Sequence, residues 1–259
     1  MPFFIVLLCT LFIAPSVEEI PFSFKNNKIL IEVREKVSGK TLRFFVDTGA
    51  PTILKRNETF PDPAIKQLSL QIGSHTLSGK DIETHDFSQN EAFVRAFSEV
   101  DGLLGHDLMR QLNWKIDWKA QKIYLSKKTF DIPKKDRLKN IGNGKPAVIL
   151  HVEGSKMSPS LVIDTGSPLG INLEQAFFVF FREFAAGEII TKHRTLSTWD
   201  EVIDEELKIM KVSSFNLDRK PFATHEILFG TGESHLGTEF LQHYTLILNW
   251  SAKEIGLVD

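Results

Sequence analysis

Apolar and polar positions along this chain alternate mostly at the period of a strand, in short runs cut by turn residues. Residues 28–33 and 42–46 form the first two runs, separated by the turn-rich Val37-Ser38-Gly39-Lys40. Residues 68–73 alternate strictly and are followed at once by 77–83, which predicts a hairpin. Residues 114–118 and 122–125 predict a second one, closing the first half. The features then return in the same order. Runs at 147–152 and 160–163 flank Glu153-Gly154-Ser155, a hairpin region spans 209–222, and 244–250 with 254–258 close the second half. Helical spacing is confined to 108–112, 240–243 and the apolar stretch 174–184. The pattern predicts an all-β fold.

The two halves carry the same phrase. Phe44-Phe45-Val46-Asp47-Thr48-Gly49-Ala50 is echoed by Leu161-Val162-Ile163-Asp164-Thr165-Gly166-Ser167. In each, a strand delivers a carboxylate to a turn where a glycine lets the backbone reverse tightly. Chance yields such a tripeptide roughly once in several thousand positions, so two copies in matching context carry weight. Downstream, Asp101-Gly102-Leu103-Leu104-Gly105-His106-Asp107-Leu108-Met109 is matched by Glu233-Ser234-His235-Leu236-Gly237-Thr238-Glu239-Phe240-Leu241. Gly105 to Trp118 and Gly237 to Trp250 are both 13 residues, and each tryptophan precedes an isoleucine, Ile123 or Ile255, by 5. Thr84-His85-Asp86 has its echo in Thr224-His225-Glu226. Anchors repeated in one order point to an internal duplication. The halves differ most after Asp164, where the second gains 23 residues before its middle hairpin (an offset of 140 there against 117 at the aspartates).

Composition narrows the classes. The 259 residues, 42% hydrophobic and 25% charged, suit a soluble globular chain long enough for two cores. A formal charge of −2 gives no reason to expect a nucleic-acid partner. The single cysteine, Cys9, lies in the apolar run 2–14, so the body has no thiol for a disulfide, a nucleophile or a metal. That run is shorter than the ~20 residues of a spanning helix. It fits a signal peptide with a cut near Ala14-Pro15-Ser16, although no Lys or Arg precedes it; a short anchor is the alternative. The expected division is a leader at 1–20, a first lobe at 21–128, a polar and basic linker at 129–145 and a second lobe at 146–259.

Two acid-bearing turns from two similar halves place Asp47 and Asp164 across a pseudo-twofold axis. Carboxylates that close do not both ionise readily, so the pair holds one proton and titrates as a unit. One member then takes a proton from water while the other gives one to a carbonyl oxygen, chemistry that suits amide hydrolysis without metal or covalent intermediate.

With these residues in view, the chain resembles the retropepsin-like aspartic proteases of bacterial type, from about residue 29 to 258. The resemblance rests on the paired Asp-Thr-Gly, on Leu103-Leu104-Gly105 and His235-Leu236-Gly237, and especially on the stretch from Asp101 to Met109. It implies a two-lobed acid-protease fold and an aspartic endopeptidase with Asp47 and Asp164 as catalytic acids. It implies that Thr48 and Thr165 bond across the two loops and that Gly49 and Gly166 let backbone amides reach the carboxylates. Leu104, Gly105, Leu236 and Gly237 are expected to pack beneath the site. His235 departs from the usual aliphatic residue there.

The expected partner is a polypeptide substrate, with no nucleic acid, metal or cofactor. The chain is expected as a monomer, secreted or periplasmic, touching a membrane only through its N-terminal run. The alternatives are a silent peptide-binding protein on the same fold and a homodimer. His225-Glu226-Ile227-Leu228-Phe229 opens like a zinc motif but has Phe229 where the second histidine belongs, and reads as strand. Two finer expectations concern asymmetry. Ser167, which faces Ala50 in the other copy, is expected to give its hydroxyl to Asp164. Residues 174–205 are expected to form a single lid, with a helix of 177–184 packed on the back of its lobe as the alternative.

Overall fold

The computed structural model describes residues 17–89, 94, 98–197 and 202–259. The expected leader falls mostly outside them. Its last three residues, from Glu18, lie in the first strand, β1 (Glu18–Pro21). The chain then runs through β2 (Ser23–Lys25), β3 (Lys28–Glu35), β4 (Thr41–Asp47), β5 (Ile53–Lys55), β6 (Ala64–Ile72), β7 (His75–His85) and β8 (Gly102–Gly105). These last seven pair in the order β2-β3-β4-β8-β5-β7-β6, and β3 also pairs β6, which closes the sheet into a barrel. The β6–β7 turn is two residues, Gly73 and Ser74, with Gly73 at φ +57, where a side chain would be strained.

The central strands are buried on both faces, which is why they read as apolar runs without alternation. Ile29, Ile31, Phe44 and Val46 face the main core, while Leu30, Phe45, Ile53 and Leu103 form a second cluster on the opposite face.

The hairpin β9 (Asn113–Asp117) and β10 (Lys122–Ser126) follows, and then β11 (Arg137–Lys139). A second barrel is built from β12 (Ala147–His151), β13 (Ser160–Ile163), β14 (Ile171–Glu174), β15 (Ile190–Ser197), β16 (Val202–Leu217), β17 (Lys220–Gly230) and β18 (His235–Leu236). Its order, β12-β13-β18-β14-β17-β16-β15 with β12 also on β16, repeats the first pairing for pairing. β13 lies parallel to β18 as β4 lies parallel to β8, and β14 parallel to β17 as β5 to β7. The additions differ: β2 extends one barrel, while β15 extends the other through a strand, β16, of 16 residues against nine in β6.

The two closing hairpins do not stay with their own halves. β19 (Thr245–Asn249) pairs with β9, placing Leu246 opposite Ile116 and Leu248 opposite Trp114, and β20 (Glu254–Val258) completes the second hairpin. The result is one sheet shared by both halves, in the order β1-β10-β9-β19-β20-β11. Residues 129–145, read as linker, therefore supply the edge strand β11. They also supply Asp136, whose buried carboxylate accepts from Lys220 Nζ at 2.5 Å. The short helices expected at 108–112 and 240–243 lie two residues earlier and end sooner, at His106–Met109 and Thr238–Leu241.

Candidate active site

Asp47 is the last residue of β4, held in register with Gly105 of the parallel β8. Asp164 directly follows β13, and its N–H donates to Leu236 O of β18 at 2.9 Å. A parallel pairing at the end of each strand thus fixes each acid.

The loops that follow fold back on their own carboxylates. Gly49 and Ala50 N–H donate to Asp47 Oδ1 at 2.8 and 3.1 Å. Gly166 and Ser167 N–H donate to Asp164 Oδ1 at 2.8 and 3.2 Å. The threonines join the loops. Thr48 N–H donates to Thr165 Oγ1 at 3.1 Å and Thr165 N–H to Thr48 Oγ1 at 3.0 Å. Each hydroxyl then donates onward across the interface, Thr48 to Ile163 O at 2.5 Å and Thr165 to Val46 O at 2.9 Å. Both threonines are fully buried, so these four bonds form out of water's reach. Valine has the same shape and neither the donor nor the acceptor.

Glycine follows threonine because the loops interlock. A Cβ on Gly49 would stand 2.5 Å from Asp164 Cγ, and one on Gly166 would overlap the Asp47 carboxyl. Each glycine lies against the other half's acid. Gly105 and Gly237 do the equivalent beneath, against the backbone of Ala50-Pro51 and of Leu169. Their successors clamp the loops: His106 N–H donates to Ala50 O at 3.0 Å and Thr238 N–H to Ser167 O at 2.8 Å. Leu104 and Leu236 are both fully buried in the main core.

The two acids differ in setting. Asp47 is 8% exposed and Asp164 is half-buried. Burial pushes the Asp47 carboxyl well up from the usual range, and the charge of Asp164 with a carboxyl–carboxyl hydrogen bond pushes it the same way. The two N–H donors pull against this and lose. Burial and the neighbouring carboxylate thus raise the proton affinity on the Asp47 side of the pair.

The dyad forms the floor of a cleft of about 390 Å³. Among the described residues the N-terminal half gives it Asp47, Gly49 and Ala50, whereas the C-terminal half adds Arg194, Thr231, Glu233 and His235. A larger cavity, about 600 Å³, lies elsewhere, between β11 and the β16–β17 turn, with Arg137, Lys139 and Arg219 in its wall and neither aspartate.

Two sequence expectations need correction. The Ser167 hydroxyl does not serve Asp164: it lies 2.8 Å from His235 Nε2 and accepts from Leu169 N–H at 3.3 Å. His235 Nδ1 is 2.8 Å from Glu233 O, an atom that only accepts, so in the neutral ring Nε2 accepts the serine hydroxyl. The inserted segment also divides in two. Residues 175–184 are helical and pack on the second barrel, with Phe181 fully buried and Phe178 edge-on to Phe229 at 5.4 Å. Of the described residues of the insertion, Arg194 on the hairpin β15–β16 reaches the cleft; residues 198–201 of the expected lid lie outside the described residues. Arg194 was missed in the sequence. Its one local signal is an opposite charge, Glu205, at the paired position across the hairpin. His225, from the incomplete zinc motif, sits on β17 edge-on to Phe240 at 5.1 Å.

No protein-family model matches the chain, and no curated protein matches it significantly.

Proposed function

We propose that the chain is an aspartic endopeptidase with Asp47 and Asp164 as its catalytic dyad. One observation carries this: two buried, cross-bonded loops bring two carboxyl groups together on the floor of a cleft, where burial and the neighbouring carboxylate favour the protonated form of Asp47. In that state Asp164 is the base and Asp47 the acid. A water between them gives a proton to Asp164 as its oxygen attacks the peptide carbonyl, while Asp47 protonates the carbonyl oxygen. The tetrahedral diol then collapses as Asp164 passes its proton to the leaving nitrogen and Asp47 takes one from a diol hydroxyl, which restores the starting state of the dyad. No covalent bond to the chain forms.

The finer fold reading belongs with this proposal: a duplicated acid-protease fold whose lobes are residues 21–128 and 146–259. The repeated pairing order and the shared sheet support it. Because one chain holds both acids, the working unit is a monomer. The apolar run at 2–14 supports a secreted or periplasmic enzyme acting on polypeptides. The hairpin β15–β16, which brings Arg194 to the cleft, is its cover, excluding water from the dyad as substrate binds.

The test is hydrolysis of unfolded casein across pH by the wild type, Asp47→Asn, Asp164→Asn and the double variant. General acid–base work is worth about 10²–10⁴-fold, and groups acting as a unit lose it together. Each single variant should match the double. Near-native turnover by Asp164→Asn would end the dyad reading, and a fully inactive wild type would favour a peptide-binding role.

A further inference from the structure

Arg194 stands in the dyad cleft without a part in the chemistry just described. It projects from β15, and its guanidinium meets Glu205 of β16 side-on: Nε donates to Oε1 at 2.5 Å and Nη2 is ion-paired to the same oxygen. The other oxygen of Glu205, Oε2, is taken by Thr231 N–H at 2.5 Å and Thr231 Oγ1 at 2.7 Å. Burial works against this carboxylate, whose side chain is 3% exposed, yet the Thr231 and Arg194 donors outweigh it and hold its proton affinity below the usual range. Glu205 is thus saturated and charged, a fixed post for the arginine.

The post uses only part of what it holds. A guanidinium has five N–H donors in a rigid fork, and contact along Nε and Nη2 leaves the Nη1 edge without a partner among the described residues. The Arg194 side chain keeps 22% of its surface exposed and lines the same 390 Å³ cleft as the dyad. Arg194 is the one Lys or Arg among the described residues lining it. The acid on its rim, Glu233, is paired with Lys145 at 2.5 Å outside the cleft wall. A hairpin tether alone would need neither the exposure nor the orientation. The free fork edge fits the two oxygens of a carboxylate.

We propose that Arg194 anchors a carboxylate-binding subsite in the dyad cleft, so that the enzyme selects peptides carrying a carboxylate beside the scissile bond. The proposal rests on the peptidase reading for its role in turnover. Its chemistry has two sources in a peptide, an aspartate or glutamate side chain or the chain's own terminal carboxylate. The first makes an acid-selective endopeptidase, and the second trims from the C-terminus. Without the arginine, a substrate carboxylate would meet the negative charge of the dyad and be repelled, so the same residue sets the sign of the preference.

The test uses matched peptides: Glu against Gln at each position flanking the cleaved bond, and a free against an amidated C-terminus. A charge-assisted hydrogen bond is worth about 1.5–3 kcal/mol, so kcat/KM should favour the carboxylate by about 10- to 100-fold. In Arg194→Gln that ratio should fall to one or below. Removing the cation strands Glu205, so Arg194→Gln/Glu205→Gln, which keeps an amide pair across the hairpin, must give the same ratio. Binding of the same peptides to the Asp47→Asn protein, read by fluorescence anisotropy, reports the subsite without turnover. Equal affinity for Glu and Gln peptides, or a ratio that survives both Arg194 variants, overturns the subsite even if casein is cleaved. Loss of all cleavage with the binding preference intact overturns the peptidase reading instead.

Discussion

The two acids stand on supports with the same backbone and opposite chemistry. Behind Asp47, Ala50 packs against a cluster of Leu30, Phe45, Ile53, Phe87, Val100 and Leu103, in which Ile53 and Leu103 face each other across β5 and β8. Behind Asp164 the matching places hold Ser167 and the pair Asn172–His235, facing each other across β14 and β18. One acid has a dry backing and the other a polar one. The hydrogen-bonded frame of the loops comes from backbone and from threonine, so it tolerates this change. What varies is the layer one residue further out, and that layer gives the cleft its one-sided lining. Identical frames keep the dyad symmetric in geometry, while the backing makes the halves unequal.

The comparison breaks most severely if the frame itself is touched. Gly49→Ala and Gly166→Ala each drive a methyl into the opposite carboxyl. Both should cost at least 10²-fold in casein hydrolysis, since overpacking shifts the backbone that aims the acids. Loss in only one would show that the halves are not interlocked equivalently.

A second effect follows from the raised proton affinity of Asp47. Asp47 titrates at higher pH in the folded chain than its ordinary 3.8. Its contribution to stability is therefore fully present below the unfolded value and is lost as pH rises through the folded one. Asp47→Asn removes that loss. Denaturant unfolding should show the variant gaining on the wild type as pH rises from 3 to 7, with no gain at pH 3. A difference constant across pH would place the proton elsewhere.

The polar backing offers a smaller and reciprocal test. Asn172 is fully buried, and neither side-chain atom has a hydrogen-bond partner among the described residues. An unpaired buried amide costs about 1–3 kcal/mol. Asn172→Leu should stabilise by about 1–2 kcal/mol in urea unfolding, and Ile53→Asn, the same change reversed, should destabilise by at least as much. Gains or losses of the same sign in both would mean that the two backings are not equivalent places.

The smallest effect is an absence. Ser167→Ala removes a hydroxyl committed to His235 and not to Asp164. The acid limb of the pH–rate profile should stay where it is, within about 0.3 unit. A larger movement would show the hydroxyl turning to the carboxylate in solution.

Much of this was legible in the sequence because it is local. Strand runs such as 28–33 and 42–46 announce themselves by apolar content, and the repeated phrase with its 13-residue spacing announces equivalent places. Pairing across halves leaves no such trace. Nothing near Trp114 says that it will lie opposite Leu248, and the β9–β19 seam went unread. Ser167 and His235 are 68 positions apart, so a serine beside an aspartate was read as its neighbour's donor. The segment at 174–184 failed for a different reason. Phe181 is buried, while Val179 and Phe180 are 58% and 48% exposed, so a helix apolar all round gave no sign of the face it would bury.

The seam between β9 and β19 sets an order of events when the chain is made. Translation runs from the N-terminus at about 5–20 residues per second. Ile116 must wait for Leu246, some 130 positions later, which at that pace takes roughly 6–26 seconds. Through that interval the nascent first half carries β9 as an open edge, ready to bond with any extended chain nearby. Lys115 and Asp117 on that strand put charge along the edge while it waits. The two halves are thus joined only once β19 and β20 have been made, when that hairpin docks and the second barrel is drawn against the first.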